Sequence, residues 1–192
     1  MKYKVLIISI GNFFFGLFEL ISGLYFKSWW FITLAIYYLI LCLMRFSFLK
    51  SINQDNKYKK LRATGLVLLF LNFVLIGMII LIIEQDRSFI YANYLIYVVA
   101  LYDFYLIINS IIHVFKTKNN KNPLIIAHKF LNLTVAMISI LSLEVAMIYQ
   151  FGNNDSHFKL LMTSYTGFAI AIINTWMSII LIKKANCVLK KK

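Results

Sequence analysis

The segment WWFITLAIYYLILCLMRFSFL, residues 29–49, decides the fold class of this chain. It contains no glycine or proline, and its only charged side chain is Arg45. An α helix rises about 1.5 Å per residue, so about 20 apolar residues are enough to cross a hydrocarbon core of about 30 Å. The segment therefore predicts a transmembrane helix.

Similar apolar segments recur along the whole chain of 192 residues, which is 61% hydrophobic. This composition lies outside the range of soluble globular domains. The segments are long and apolar on most sides, which favours helices over the short alternating strands of a β-barrel. We predict an all-α membrane protein, a single domain over residues 1–192. Its six transmembrane helices are predicted at residues 5–26, 29–49, 63–83, 90–115, 123–149 and 158–182.

Basic residues are distributed unevenly between the two sides of this predicted bundle. Of the 20 lysines and arginines, only Lys27, Arg87 and Lys159 fall on one side, and the rest fall on the other. Short loops rich in lysine and arginine stay in the cytoplasm. We therefore predict a multi-pass protein of the cell membrane with its N-terminus and C-terminus cytoplasmic. The net charge of +13 then faces anionic lipids at the cytoplasmic face of the bilayer, and we expect no nucleic-acid partner.

Small and polar residues follow one face of the first and the last predicted helix. Such residues let helix backbones approach closely inside a membrane, where lipid supplies no hydrophobic drive for association. We therefore expect both faces to point into the bundle. The residues are Ser9, Asn12, Gly16, Glu19 and Gly23 in the first helix and Ser164, Gly167, Ala171, Asn174 and Ser178 in the last.

Polar side chains within the predicted helices form a layer roughly 9 to 14 Å from the cytoplasmic ends. Arg45 lies near this layer. Two interpretations are open: interhelical hydrogen bonds with Arg45 extended to the cytoplasmic interface, or a polar vestibule that opens to the cytoplasm. The asparagines of the layer are Asn12, Asn72, Asn109, Asn132 and Asn174.

Three acidic residues lie at different depths in the predicted helices. Asp103 is about 18 Å from either end of its helix, so its short side chain does not reach water. A carboxyl group at that depth is expected to be protonated, paired or next to a wet cavity. The alternative is a neutral Asp103 bonded to a neighbouring tyrosine or asparagine. Glu19 and Glu144 lie nearer the outer side, where a solvated or protonated carboxyl group is the simpler interpretation.

Enzyme signatures are missing from the sequence, which has no HExxH motif, no GxSxG motif and no Gly-rich phosphate loop. The two cysteines and three histidines fall in separate places along the predicted topology, so they do not predict a metal site. We therefore expect no enzymatic activity and no cofactor.

The polar interior suggests two kinds of function. The first is binding or transport of a small solute through the interior of the bundle. The second is a non-catalytic role, in which the protein interacts with partner membrane proteins or lipids. For the first, the candidate substrate-binding residues are Asp103, Glu19, Arg45, Asn12, Asn109, Asn174 and Glu144.

The segments WWFITLAIYYLILCLMRFSFL and NPLIIAHKFLNLTVAMISILSLEVAM resemble those of uncharacterised bacterial six-helix integral membrane proteins. That resemblance implies the fold and no activity. In size, topology and basic cytoplasmic loops the chain is also similar to the substrate-capture subunits of energy-coupling-factor vitamin transporters. Those subunits show an AxxxA motif on their first helix, whereas the corresponding segment here reads GNFFFGLFELISG.

Overall fold

The computed structural model describes residues 2–49, 54–85, 95–116, 122–151 and 156–190, which form helices and no strand. Five of the helices are long and apolar enough to cross a membrane, which indicates a multi-pass membrane protein. The apolar part of the first helix, Ser9–Tyr25, is shorter than the others. The helices are α1 Lys2–Tyr25, α2 Trp29–Leu49, α3 Gln54–Gln85, α4 Leu95–Lys116, α5 Pro123–Phe151 and α6 Ser156–Leu189.

The predicted boundaries agree with these helices at α2 and differ most at α3 and α6. The segment 50–62 was predicted as a loop, but α3 already begins at Gln54. Likewise, the tail after residue 182 was predicted to lie outside the last helix, but α6 continues to Leu189 and includes Cys187. Both extensions contain lysine, which favours helices, and each buries an apolar residue in the core, Leu61 in α3 and Ala185 in α6. The predicted start of the fourth helix at residue 90 lies outside the described residues.

The helices pair in an order that differs from their order in the chain. Helix α1 packs against α2, α3 packs against α6, and α4 packs against α5. Helix α5 is central, since it also contacts α2, α3 and α6. The described parts of α1 and α4 have no Cα atoms within 8 Å of each other. The two helices therefore flank a space that only side chains can span.

Helices α3 and α6 run antiparallel at very short distance because glycines leave room for the other backbone. A Cβ atom on Gly65 would lie 3.0 Å from the Ser178 carbonyl oxygen, and one on Gly167 would lie 2.7 Å from the Ile79 Cδ1 atom. The small-residue face predicted for the last helix is thus confirmed as a packing face.

A tight turn joins α1 to α2 and sets the two helices side by side. The Ser28 N–H donates to the Gly23 carbonyl oxygen at 3.0 Å, and Lys27 has a φ of 51°, in the left-handed region that often ends a helix. Gly23 allows close approach, because a Cβ atom there would lie 2.9 Å from the Ile32 nitrogen. The inward-facing side of α1 is confirmed by the burial of Ser9, Asn12 and Glu19. This hairpin brings the polar face of α1 against α2.

Candidate functional site

Buried polar side chains converge between α1, α2, α4 and α5, on the side of the bundle away from the α3–α6 pair. We refer to them as the four-helix interior. Each of the four helices supplies at least one of them, and only Tyr102 is partly exposed. The residues are Ser9, Asn12 and Glu19 of α1, Tyr38, Cys42 and Arg45 of α2, Tyr102 and Asp103 of α4, and Asn132 and Ser139 of α5.

Arg45 is buried with little compensation for its charge. It is 1% exposed, and its Nη2 atom donates to the Asn132 Oδ1 atom at 2.8 Å. The Nε and Nη1 atoms have no hydrogen-bond partner, and no carboxylate of the described residues lies within salt-bridge distance of the guanidinium. A guanidinium group carries five N–H donors. Most of its binding capacity is therefore unused, in a place that water does not reach readily.

Among the described residues, no carboxylate beside Arg45 balances its charge. Cys42, one helical turn away, donates from Sγ to the Ser9 carbonyl oxygen at 3.2 Å. The rings of His113 and His128 pack edge to face with centroids 5.0 Å apart. Both rings interact electrostatically with Arg45. The sequence places these histidines only near two helix ends. The structure shows that they meet beside Arg45.

Tyr102 bridges the space between α1 and α4. Its hydroxyl donates to the Asn12 Oδ1 atom at 2.9 Å, and its ring stacks on Phe15 with centroids 4.2 Å apart. Tyr102 is also within electrostatic range of both Arg45 and Asp103. One side chain thus joins α4 to α1 within electrostatic range of both the guanidinium and the carboxyl group.

Glu19 and Asp103 form a second polar layer. Both are fully buried, both carboxyl groups lack a hydrogen bond of good geometry, and the two groups are close enough to interact electrostatically. Ser139 is near Asp103, but its hydroxyl shares its described hydrogen bond, 3.0 Å long, with the Tyr38 hydroxyl. No tyrosine or asparagine among the described residues hydrogen-bonds the Asp103 carboxyl group.

The two layers are separated along the bundle axis. On α5, Asn132 marks the Arg45 layer, and Ser139 marks the layer of Glu19 and Asp103. Seven residues of helix correspond to about 10 Å. The four-helix interior thus has a cationic layer and a carboxyl layer.

Of the predicted substrate-binding residues, Glu144 and Asn174 lie elsewhere. Glu144 is half-buried near Thr166 of α6, because it follows Ser139 by five residues and so points about 140° away from it around α5. Asn174 is buried on α6, which packs against α3 and α5 only, and its amide has no hydrogen-bond partner. Asn109 is half-buried on α4, and no described hydrogen bond joins it to the four-helix interior.

The predicted interhelical hydrogen bonds are confirmed for three asparagines of the layer. Asn12 bonds Tyr102 of α4, and Asn132 bonds Arg45 of α2. Asn72 joins α3 to α6, where its Nδ2 atom donates to a backbone carbonyl oxygen at 3.1 Å and to a threonine hydroxyl at 2.8 Å. The predicted extension of Arg45 to the cytoplasmic interface is wrong, because its side chain is enclosed by protein.

Comparison with known proteins gives no family for this chain: no protein-family model matches it, and no curated protein is significantly similar to it. In the described part of the chain, no three histidine, cysteine, aspartate or glutamate residues are grouped so that they could hold a metal ion. The chemistry of the four-helix interior is that of a cation and two carboxyl groups with few partners of their own.

Proposed function

We propose that this chain is a six-span protein of the cell membrane, with both termini cytoplasmic, which binds a small anionic solute in the four-helix interior and transports it. The uneven distribution of basic residues supports the orientation. In this proposal α1 is a span in addition to the five longer apolar helices, and its apolar run Ser9–Tyr25 supports that assignment. Arg45, Asn12, Glu19 and Asp103 are the binding residues of this proposal.

The observation that carries the proposal is the unbalanced burial of Arg45. Removing a guanidinium group from water costs several kcal/mol unless a partner charge and further hydrogen bonds compensate it. Asn132 supplies one neutral acceptor, and the described part of the protein supplies no anion. A carboxylate or phosphate group accepts two N–H bonds from one guanidinium in a planar fork. A solute with such a group would supply the compensation that the protein lacks.

The carboxyl layer gives the proposal a second binding position. Glu19 and Asp103 interact with each other, so two ionised carboxylates would repel each other there. Binding a cation such as a proton would remove that repulsion and is therefore favourable. A cation that enters with the anion would keep the interior close to neutral. In this proposal Tyr102, which is within electrostatic range of both Arg45 and Asp103, controls passage from one layer to the other.

A non-catalytic role with partner membrane proteins or lipids is the second candidate. It is favoured by the asparagines that join helices, since such hydrogen bonds stabilise a bundle whether or not it binds a solute. This role leaves Arg45, Glu19 and Asp103 without an explanation, because an apolar residue at each position would pack at lower cost.

A thermal-shift assay on the purified protein tests the proposal. The probes are small carboxylates, phosphate and sulfate, with alkylammonium ions as the cationic comparison. A ligand at 100 times its Kd stabilises the folded state by about 2.7 kcal/mol. For a chain of this size that corresponds to a rise in melting temperature of about 5 to 10 °C. We expect at least one anion to give such a rise, and Arg45→Gln to abolish it.

The matched control is Lys59→Gln, which removes the same charge from an exposed position of α3. It should respond to anions like the wild type. An anion-induced rise in melting temperature that persists in Arg45→Gln would contradict an anion site at Arg45. A wild-type protein that only cations stabilise would contradict it as well.

A further inference from the structure

The outer surface of α3 and α6 carries two adjoining pockets that have different chemistry. The first, of about 530 Å³, is apolar and is lined mainly by α6 residues between Phe168 and Lys183, with Ile76 of α3. The second, of about 560 Å³, lies at the ends of the same helices and is basic. Lys183 lines both pockets. We call the two together the α3–α6 groove.

The apolar part of the groove has the length of a lipid acyl chain in one leaflet. Ile172 and Lys183 are separated by eleven residues, or about 17 Å along α6. One leaflet contributes half of a hydrocarbon core of about 30 Å. Ile172 and Trp176 are 64% and 68% exposed, so the walls of the groove are open to an apolar occupant.

The basic end of the groove gives the occupant its charge. Arg62, Lys183 and Lys190 line it together with the Asn186 amide, and no acidic residue is among its lining residues. Basic pockets between transmembrane helices at the cytoplasmic side bind the head groups of anionic lipids. The two ends of the groove thus match the two ends of one amphipathic molecule.

We propose that the α3–α6 groove is a binding site for an anionic phospholipid, with the phosphate at Arg62 and Lys183 and an acyl chain along Ile172 and Trp176. The site lies on the opposite side of the bundle from Arg45 and does not depend on solute binding there. Because Asn72 and the close contact at Gly65 hold α3 and α6 together beneath it, the groove has a fixed floor.

Lipid binding to the purified full-length protein tests this site. The probes are phosphatidylglycerol and phosphatidylcholine with identical acyl chains, titrated in detergent and followed by native mass spectrometry. We expect the wild type to retain phosphatidylglycerol in preference to phosphatidylcholine. The double variant Arg62→Gln/Lys183→Gln should bind phosphatidylglycerol about 30-fold more weakly, as expected for two basic groups at a membrane surface. Lys190→Gln alone should weaken phosphatidylglycerol binding about fivefold. This single variant replaces the double variant in the test if the double variant is not recovered folded.

The control is Lys57→Gln/Lys59→Gln, which removes two charges from the same end of α3 but outside the groove. It should bind phosphatidylglycerol like the wild type. Equal losses of phosphatidylglycerol affinity in both double variants would show that the lipid is attracted to positive charge in general. That result would overturn the site. Displacement of the lipid by glycerol phosphate at the same concentration would show a site for soluble phosphate. A change in oligomeric state of the groove variant would show a protein interface. Either result would also overturn the proposal.

Discussion

The double variant Arg45→Met/Asn132→Leu is expected to be more stable than the wild type and to bind no anion. Replacing a buried charged group and its partner with apolar residues of similar size is often stabilising by about 1 to 4 kcal/mol. For this chain that corresponds to a melting temperature higher by about 2 to 16 °C. Thermal unfolding in detergent, with and without the anion that stabilises the wild type, measures both effects.

The single variant Asn132→Leu should behave in the opposite way. It removes the one described hydrogen-bond partner of Arg45, which costs about 1.5 to 3 kcal/mol for a hydrogen bond to a charged group. Asn72→Leu is the comparison, because Asn72 joins two helices through uncharged partners. This substitution should lower the free energy of unfolding by about 1 to 3 kcal/mol. A double variant as unstable as Asn132→Leu would mean that Arg45 supports folding.

Gly65→Leu is expected to disrupt the contact between α3 and α6. A Cβ atom at Gly65 would lie 2.7 Å from Ile182 Cγ1 and 3.0 Å from the Ser178 carbonyl oxygen, and the second atom belongs to the backbone. The helices must therefore separate, which costs about 3 kcal/mol as overpacking. We expect a melting temperature lower by about 6 to 12 °C.

Gly77→Leu is the matched control on the same helix, because nothing lies within 4 Å of a Cβ atom at Gly77. It should melt within about 2 °C of the wild type, since substitutions away from packed contacts usually change stability by less than about 0.5 kcal/mol. Similar losses from both substitutions would contradict the α3–α6 contact as the cause, since leucine has a higher helix propensity than glycine at either position.

Much of the fold follows from local sequence patterns. The apolar run 29–49 predicts α2 with its observed boundaries, and the small-residue faces predict which sides of α1 and α6 point inward. The charged extensions of α3 and α6 were missed because hydropathy marks where a helix leaves the hydrocarbon and not where the helix ends. Lysine favours helices, and isolated buried residues such as Leu61 and Ala185 do not form an apolar run that hydropathy would detect.

The candidate site was predicted only in part, because periodicity gives the face and depth of a residue but not its neighbours. Glu19, Arg45 and Asp103 share one interior, while Glu144 faces α6 instead. This division depends on α3 pairing with α6 and α4 with α5, which no local pattern specifies. The role of Tyr102 was also missed. Its position next to Asp103, near the middle of α4, is the signal that could have found it.

Cysteine labelling measures most directly whether the four-helix interior admits anions. In the variant Cys187→Ser the remaining thiol is Cys42, which is 2% exposed and lies one helical turn from Arg45. The probes are two methanethiosulfonate reagents of similar size, one carrying a sulfonate and the other a trimethylammonium group. In Cys42→Ser, the exposed Cys187 reports the reactivity of both reagents in the same membranes.

We predict that the sulfonate reagent modifies Cys42 about tenfold faster than the ammonium reagent, and that Arg45→Gln removes this preference. Modification by neither reagent, while Cys187 reacts with both, would contradict an interior that anions can reach, as would equal rates that do not change with Arg45→Gln.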